Sequence, residues 1–144
     1  MNKFLKLVSL IVNMKKYLDQ ELIKKAIKIA KITTPSERVS LGNVGCALIS
    51  GKGNIYLGVS MDLSCGIGFC AERNAAGSMI TAGETRIKKI IAISEQGIIL
   101  PPCGVCREFL YQINEGNLET EIIIGKGKTI KLKELLPERW LERV

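Results

Sequence analysis

The sequence predicts an α/β protein, a three-layer α/β/α arrangement in which helices cover a mixed five-stranded sheet. Three observations carry this expectation. Apolar segments of strand length alternate with alanine-rich or amphipathic segments of helical length, and that alternation lays helices on a sheet. Glycine-bearing turns, Gly51-Lys52-Gly53-Asn54 and Gly125-Lys126-Gly127-Lys128, each join two strand-like runs as hairpins do. Two cysteine stretches each follow a strand, so two helix starts can meet in one crevice at the sheet's edge.

Taken in order, Asp19 to Ile32 reads as an amphipathic helix. Leu22, Ile23, Ala26, Ile27 and Ala30 share one face opposite lysines. Asp19 is a fair N-cap, and Thr33-Thr34-Pro35 ends the helix. Ser36 to Gly42 is polar and reads as a loop. Val44 to Ser50 and Asn54 to Met61 are the first two strands, and Asp62 to Phe69 is a loop with Gly66 and Gly68. Cys70 to Ala82 is an alanine-rich helix ended by Gly83. Lys89 to Ser94 is a central strand, and Gly97 to Pro101 leads into a helix that runs through Tyr111. Thr120 to Ile124 and Thr129 to Leu132 are the last strands, and a short helix closes near Leu136.

A chain of 144 residues, 47% apolar, fits one domain with a real core, spanning residues 1–144. Residues 1–13 read either as a mis-assigned extension, with Met14 the true start, or as an amphipathic segment. Met1 to Val12 only faintly resembles a signal peptide: Lys6 interrupts the apolar stretch and no small-x-small site follows. No apolar run is long enough to span a bilayer, so no membrane partner is expected. The net charge of +7 comes from lysines spread along the chain. With one Trp, three Tyr and three Phe, there is no obvious platform for stacking bases, which argues against nucleic acid.

The chemistry lies in Cys70-Ala71-Glu72-Arg73 and Pro102-Cys103-Gly104-Val105-Cys106. Three thiolates, from Cys70, Cys103 and Cys106, are one ligand short of a closed tetrahedron. Structural zinc sites use four protein ligands; catalytic ones use three and leave a position for water, whose pKa the metal lowers. Glu72, two residues past the first ligand, is placed to carry protons without ligating Zn²⁺. Pro102 suits a first helical turn and would put Cys103 and Cys106 there. The positive end of a helix dipole offsets thiolate charge, and Arg73 is placed to donate hydrogen bonds to the sulfurs. Cys46 and Cys65 read as small buried hydrophobes, and thiolate ligands suit a reducing, cytoplasmic setting.

Cys-Ala-Glu-Arg followed by Pro-Cys-x-x-Cys resembles the cytidine deaminase superfamily, in particular its small three-cysteine nucleoside enzymes. The resemblance runs from Val44-Gly45-Cys46-Ala47-Leu48 to Glu134-Leu135-Leu136-Pro137. It implies a cytidine deaminase-like fold, a homotetramer, and hydrolysis of a cytosine nucleoside with release of ammonia, with Glu72 as the catalytic acid–base. It also implies that the N–H groups of Ala71 and Glu72 hold the pyrimidine O2, and that the carbonyl of Pro101 takes the exocyclic amine. Ser60 and Asp62 stand where the family carries Asn-x-Glu for the ribose. Gly42-Asn43 replaces Phe-Pro, removing an aromatic from the base. Trp140 matches a tail aromatic that reaches a neighbouring subunit's base.

These departures leave room for a modified cytosine nucleoside, as in the related blasticidin S deaminase, or for another amino-heterocycle. Two other readings stay open. With Cys65 as fourth ligand the site would be a closed structural Cys₄ centre, leaving Glu72 and Arg73 idle. A nucleic-acid base deaminase usually has histidine as first ligand, and this chain has none.

Overall fold

The computed structural model describes residues 2–143, and its layers follow from period-two burial along the strands. Strand β2 (Val39–Ser50) sends Cys46 and Leu48 to one face and Ala47 and Ile49 to the other, as a pleated strand must. Strand β4 (Ile87–Ser94) is buried on both faces apart from Lys88, which marks it as central.

One face is covered by α1 (Lys3–Ile29), through Leu22 and Ala26 packed on Ala47, Ile91 and Ile123. The opposite face is covered by α2 (Ala71–Thr81), α3 (Gly104–Ile113) and α4 (Leu132–Leu135), through Ala75, Met79, Leu110 and Leu132 packed near Leu48, Ile90 and Ile122. Each buried Leu, Ile or Met among these contributes about 1.5–3 kcal/mol by leaving water.

The sheet holds seven strands, with β1 (Thr33–Ser36), β2, β4, β6 (Glu121–Gly125) and β7 (Lys128–Lys131) on the main path. Strand β3 (Ile55–Leu63) pairs with β2, and β5 (Ile99–Leu100) pairs with β4. The β4–β6 pair is parallel and the others antiparallel, so the sheet is mixed as expected. The five strands expected from the sequence are β2, β3, β4, β6 and β7. Strands β1 and β5 are additions. The supposed loop from Ser36 to Gly42 largely belongs to β1 and β2, and β3 runs on to Leu63 before a 3₁₀ turn at Ser64–Gly66.

The first helix also differs. It begins at Lys3, capped by the Asn2 side chain accepting from the Phe4 N–H, rather than at Asp19. No proline or glycine interrupts residues 2–29, and Asp19 is engaged elsewhere. It pairs with the buried ammonium of Lys89, which also meets Glu121 at 2.9 Å. The proposed extension is thus helical and continuous with the packing helix, with Met1 outside the described residues.

Two glycines set how closely the helices approach. A Cβ on Gly45 would lie 2.2 Å from the Ala26 carbonyl oxygen of α1, and one on Gly58 would lie 2.2 Å from the Ala75 nitrogen of α2. Both helix backbones rest on the sheet where no side chain intervenes.

Candidate active site

Both cysteine stretches open a helix at the same end of the sheet. Cys70 is the N-cap of α2, with extended backbone, and Cys103 is the N-cap of α3. Cys106 follows in the first turn of α3 and is fully buried. Pro102 therefore precedes the helix instead of lying in its first turn. Cys103 takes the extended cap conformation, and the Arg107 Nε donates to the Pro102 carbonyl at 2.8 Å, anchoring the approach.

The topology brings three sulfurs together. Those of Cys70, Cys103 and Cys106 all lie within 4.8 Å of one another, and Cys70 and Cys103 are 3.6 Å apart. Sulfurs about 3.8 Å apart are what a tetrahedral zinc at about 2.3 Å from each would require, so the donor set fits the metal. Among the described residues no other cluster of metal-ligating side chains forms. Cys65 is exposed, in left-handed backbone at φ 62°, and stands outside the cluster. The closed Cys₄ arrangement is not formed.

The electrostatics agree. Burial, and then the charge of Glu72, push the Cys106 thiol well above its ordinary range. Burial and the Cys103 thiol raise Cys70. Burial raises Cys103 too, but the Cys106 N–H and the neighbouring thiols outweigh it and leave that group lowered. Two thiols held protonated beside a third become ligands only when a cation displaces their protons. Arg73, in the first turn of α2, lies over the Phe69 ring at 5.6 Å, and its Nε is buried without a hydrogen-bond partner. A positive group with a spare donor suits a site that is to hold three thiolates.

The cluster opens on a cavity of about 530 Å³. Cys70, Ala71, Glu72, Arg73, Pro101 and Cys103 line its inner part; Ser60 and Asp62 line its β3 wall. Glu72 is 6% exposed. Burial raises its carboxyl, opposed by its own N–H, by Arg73 and by the Cys106 thiol. The N–H groups of the first turn of α2 have no intrahelical acceptors, and Cys70 makes no side-chain cap. Ser60 Oγ accepts from the Val44 N–H at 3.0 Å.

Trp140 stands apart from the cavity, 62% exposed in a terminal 3₁₀ turn. Three residues have roles at the site that the sequence does not assign them. Asn43 lines the cavity and donates through Nδ2 to Asp62 Oδ2 at 2.7 Å. Phe69 lines it ahead of Cys70, held by a two-way backbone bridge to Met61. Arg107 also donates to the Leu135 carbonyl at 3.0 Å, tying α3 to α4. An aromatic beside the first ligand was the one available signal.

Comparison with known proteins agrees with this geometry. Residues 16–120 match the profile of the cytidine and deoxycytidylate deaminase zinc-binding region. The chain is 30% identical to the cytidine deaminase of Halalkalibacterium halodurans over 82% of its own length and 90% of the relative's. It is 30% identical to a probable cytidine deaminase of Dictyostelium discoideum, covering 83% and 84%. The crystal structure of the Mycobacterium tuberculosis cytidine deaminase superposes with a TM-score of 0.69 at 26% identity, covering 84% of this chain and 95% of that one.

Proposed function

The chain belongs to the cytidine and deoxycytidylate deaminase family, and we propose that it is a zinc-dependent hydrolytic deaminase of a cytosine nucleoside, converting the ring amine to a carbonyl and releasing ammonia. The observation that carries this reading is the three-sulfur cluster opening on a cavity beside a buried carboxylate. Cys70, Cys103 and Cys106 would hold Zn²⁺, which supplies Lewis acidity that makes hydroxide available near neutral pH.

The chain's own residues account for the remaining steps. Glu72, raised by burial, takes a proton from the attacking water and delivers it to the ring nitrogen. It then carries the second proton to the departing amine. The N–H groups of Ala71 and Glu72 hold the pyrimidine O2 at the dipole's positive end, and the Pro101 carbonyl accepts from the exocyclic amine. Phe69 gives the base an apolar wall from the α2 side, in place of the aromatic missing before Val44. Ser60 and Asp62 face the sugar, and Arg73 offsets the thiolate charge. Trp140 reaches the base of a neighbouring subunit in a homotetramer. That assembly, and a cytoplasmic setting suited to thiolates, complete the reading.

Glu72→Gln tests it. The variant should keep its zinc and lose turnover by about 10²–10⁴-fold, the usual worth of acid–base catalysis. Ammonia release from cytidine, deoxycytidine and blasticidin S by the zinc-loaded parent defines the substrate. Undiminished turnover in Glu72→Gln would refute the assignment.

A further inference from the structure

The first half of α1 makes no contribution to the core and lies almost wholly before the family match at residues 16–120. Its apolar side chains are open to solvent: Phe4 is 69% exposed, Leu10 59% and Met14 61%, with Leu5, Leu7, Val8, Ile11, Val12 and Tyr17 also exposed. The polar residues follow one strip, Asn2, Lys6, Ser9, Asn13 and Lys16, at alternating spacings of four and three, which is one side of a helix. The apolar arc occupies roughly two-thirds of the circumference. Lys15 interrupts that arc, but its ammonium is turned to Glu121 at 2.9 Å.

We propose that this arm of α1 is an interfacial anchor that lies on a bilayer surface rich in anionic phospholipid. Charge selects this occupant. Positions 3, 6, 15 and 16 are lysine, no acidic residue occurs before Asp19, and the chain carries +7 overall. Anionic headgroups complement such a helix. A second copy of the arm brings like charges together, and helix–helix packing covers only a narrow stripe, leaving most of the apolar arc wet. Lipid covers the whole arc while the strip with Lys6 and Lys16 stays at the headgroups. At 1.5 Å per residue the exposed part is about 20 Å long, shorter than the ~30 Å hydrocarbon core, so it lies on the surface and does not cross. Spanning length limits a transmembrane helix, whereas a surface helix depends on amphipathicity.

The test is sedimentation of the zinc-loaded full chain with vesicles of phosphatidylcholine alone or with phosphatidylglycerol at about one part in four. The parent should pellet with the anionic vesicles, and about tenfold more weakly with neutral ones or in about 0.5 M salt. Leu7→Glu combined with Ile11→Glu should abolish pelleting while melting temperature and turnover hold. Lys6→Gln combined with Lys16→Gln should weaken partition about fivefold per lysine. The proposal is overturned if the parent ignores anionic vesicles, or if the glutamate pair still binds them. It is equally overturned if light scattering shows that pair dissociating an oligomer while the parent binds no lipid, since a second copy would then cover the arm.

Discussion

Gly58→Ala is the sharpest perturbation of the link between fold and site. Gly58 lies on β3 opposite Cys46 of β2 and is buried beneath the first turns of α2. A methyl group there would sit 2.2 Å from the Ala75 nitrogen, 2.7 Å from the Ala71 carbonyl oxygen and 2.8 Å from the Asn74 carbonyl carbon. All three are backbone atoms, so no rotamer change relieves the contact. Restoring an ordinary 3.4 Å separation requires α2 to retreat by about 1.2 Å. Overpacking of this kind costs about 1–3 kcal/mol, which lowers the melting temperature by several degrees in a chain of this size.

The same helix carries Cys70 at its cap and Glu72 in its first turn. Misplacing reacting groups by about 1 Å costs on the order of 10²-fold in rate, so turnover should fall by about that factor in protein that is still folded. Urea denaturation and steady-state ammonia release, at matched zinc content, measure the two effects separately. A Gly58→Ala protein with parental stability and turnover within about twofold would refute the claim that this backbone contact positions the site.

Two further outcomes follow from the same surroundings. Gly77→Ala, inside α2 with no atom within 4 Å of the added methyl, should stabilise the protein by about 0.5–1 kcal/mol through reduced backbone entropy, read as a raised urea midpoint. Hydrogen bonds from Ser50 first, then from Asn54 at 2.7 Å and the Tyr56 hydroxyl at 2.8 Å, hold the Glu84 carboxyl down to about 2 from 4.5. In that window the unfolded chain binds a proton that the folded one refuses, so Glu84 stabilises the fold above the window and progressively loses that effect as pH falls through it. Urea titrations should therefore show parental stability converging on that of Glu84→Gln as pH drops from about 5 towards 2. A stability gap that stays constant over that range would contradict the assignment.

The cysteine stretches were legible because a helix start is a local event: an extended cap residue followed by helical residues leaves the same spacing in any sequence. The β2–β3 hairpin and the doubly buried β4 were legible for a similar reason, since alternation and unbroken apolar runs report burial directly. The extent of α1 was not. The apolar side chains of its first half are open to solvent, so their pattern does not report the core. Strand β1 escaped notice because Thr33-Thr34-Pro35-Ser36 is wholly exposed, leaving no burial pattern to read. Asn43 and Arg107 act through partners 19 and 28 residues away, and for Arg107 these are backbone carbonyls, which carry no sequence signature.

The site is assembled in two layers with different supports. The sulfurs and Glu72 ride on helix starts held by backbone: Gly58 under α2, the Met61–Phe69 bridge just ahead of Cys70, and Arg107 gripping the Pro102 and Leu135 carbonyls around α3. The wall assigned to the sugar consists of side chains on β2 and β3, where Asn43 donates to Asp62 at 2.7 Å and to Ser40 at 3.4 Å and Ser60 accepts from the Val44 N–H at 3.0 Å. Side chains on a sheet can be exchanged without moving a helix that rests on glycine and on main-chain carbonyls. On the proposed function, that separation lets the residues proposed to face the sugar change while the proposed zinc ligands and Glu72 stay in place. Substitutions at Asn43 or Asp62 should therefore alter relative ammonia release among nucleosides at constant zinc content by metal analysis, whereas changes beneath α2 should disturb both.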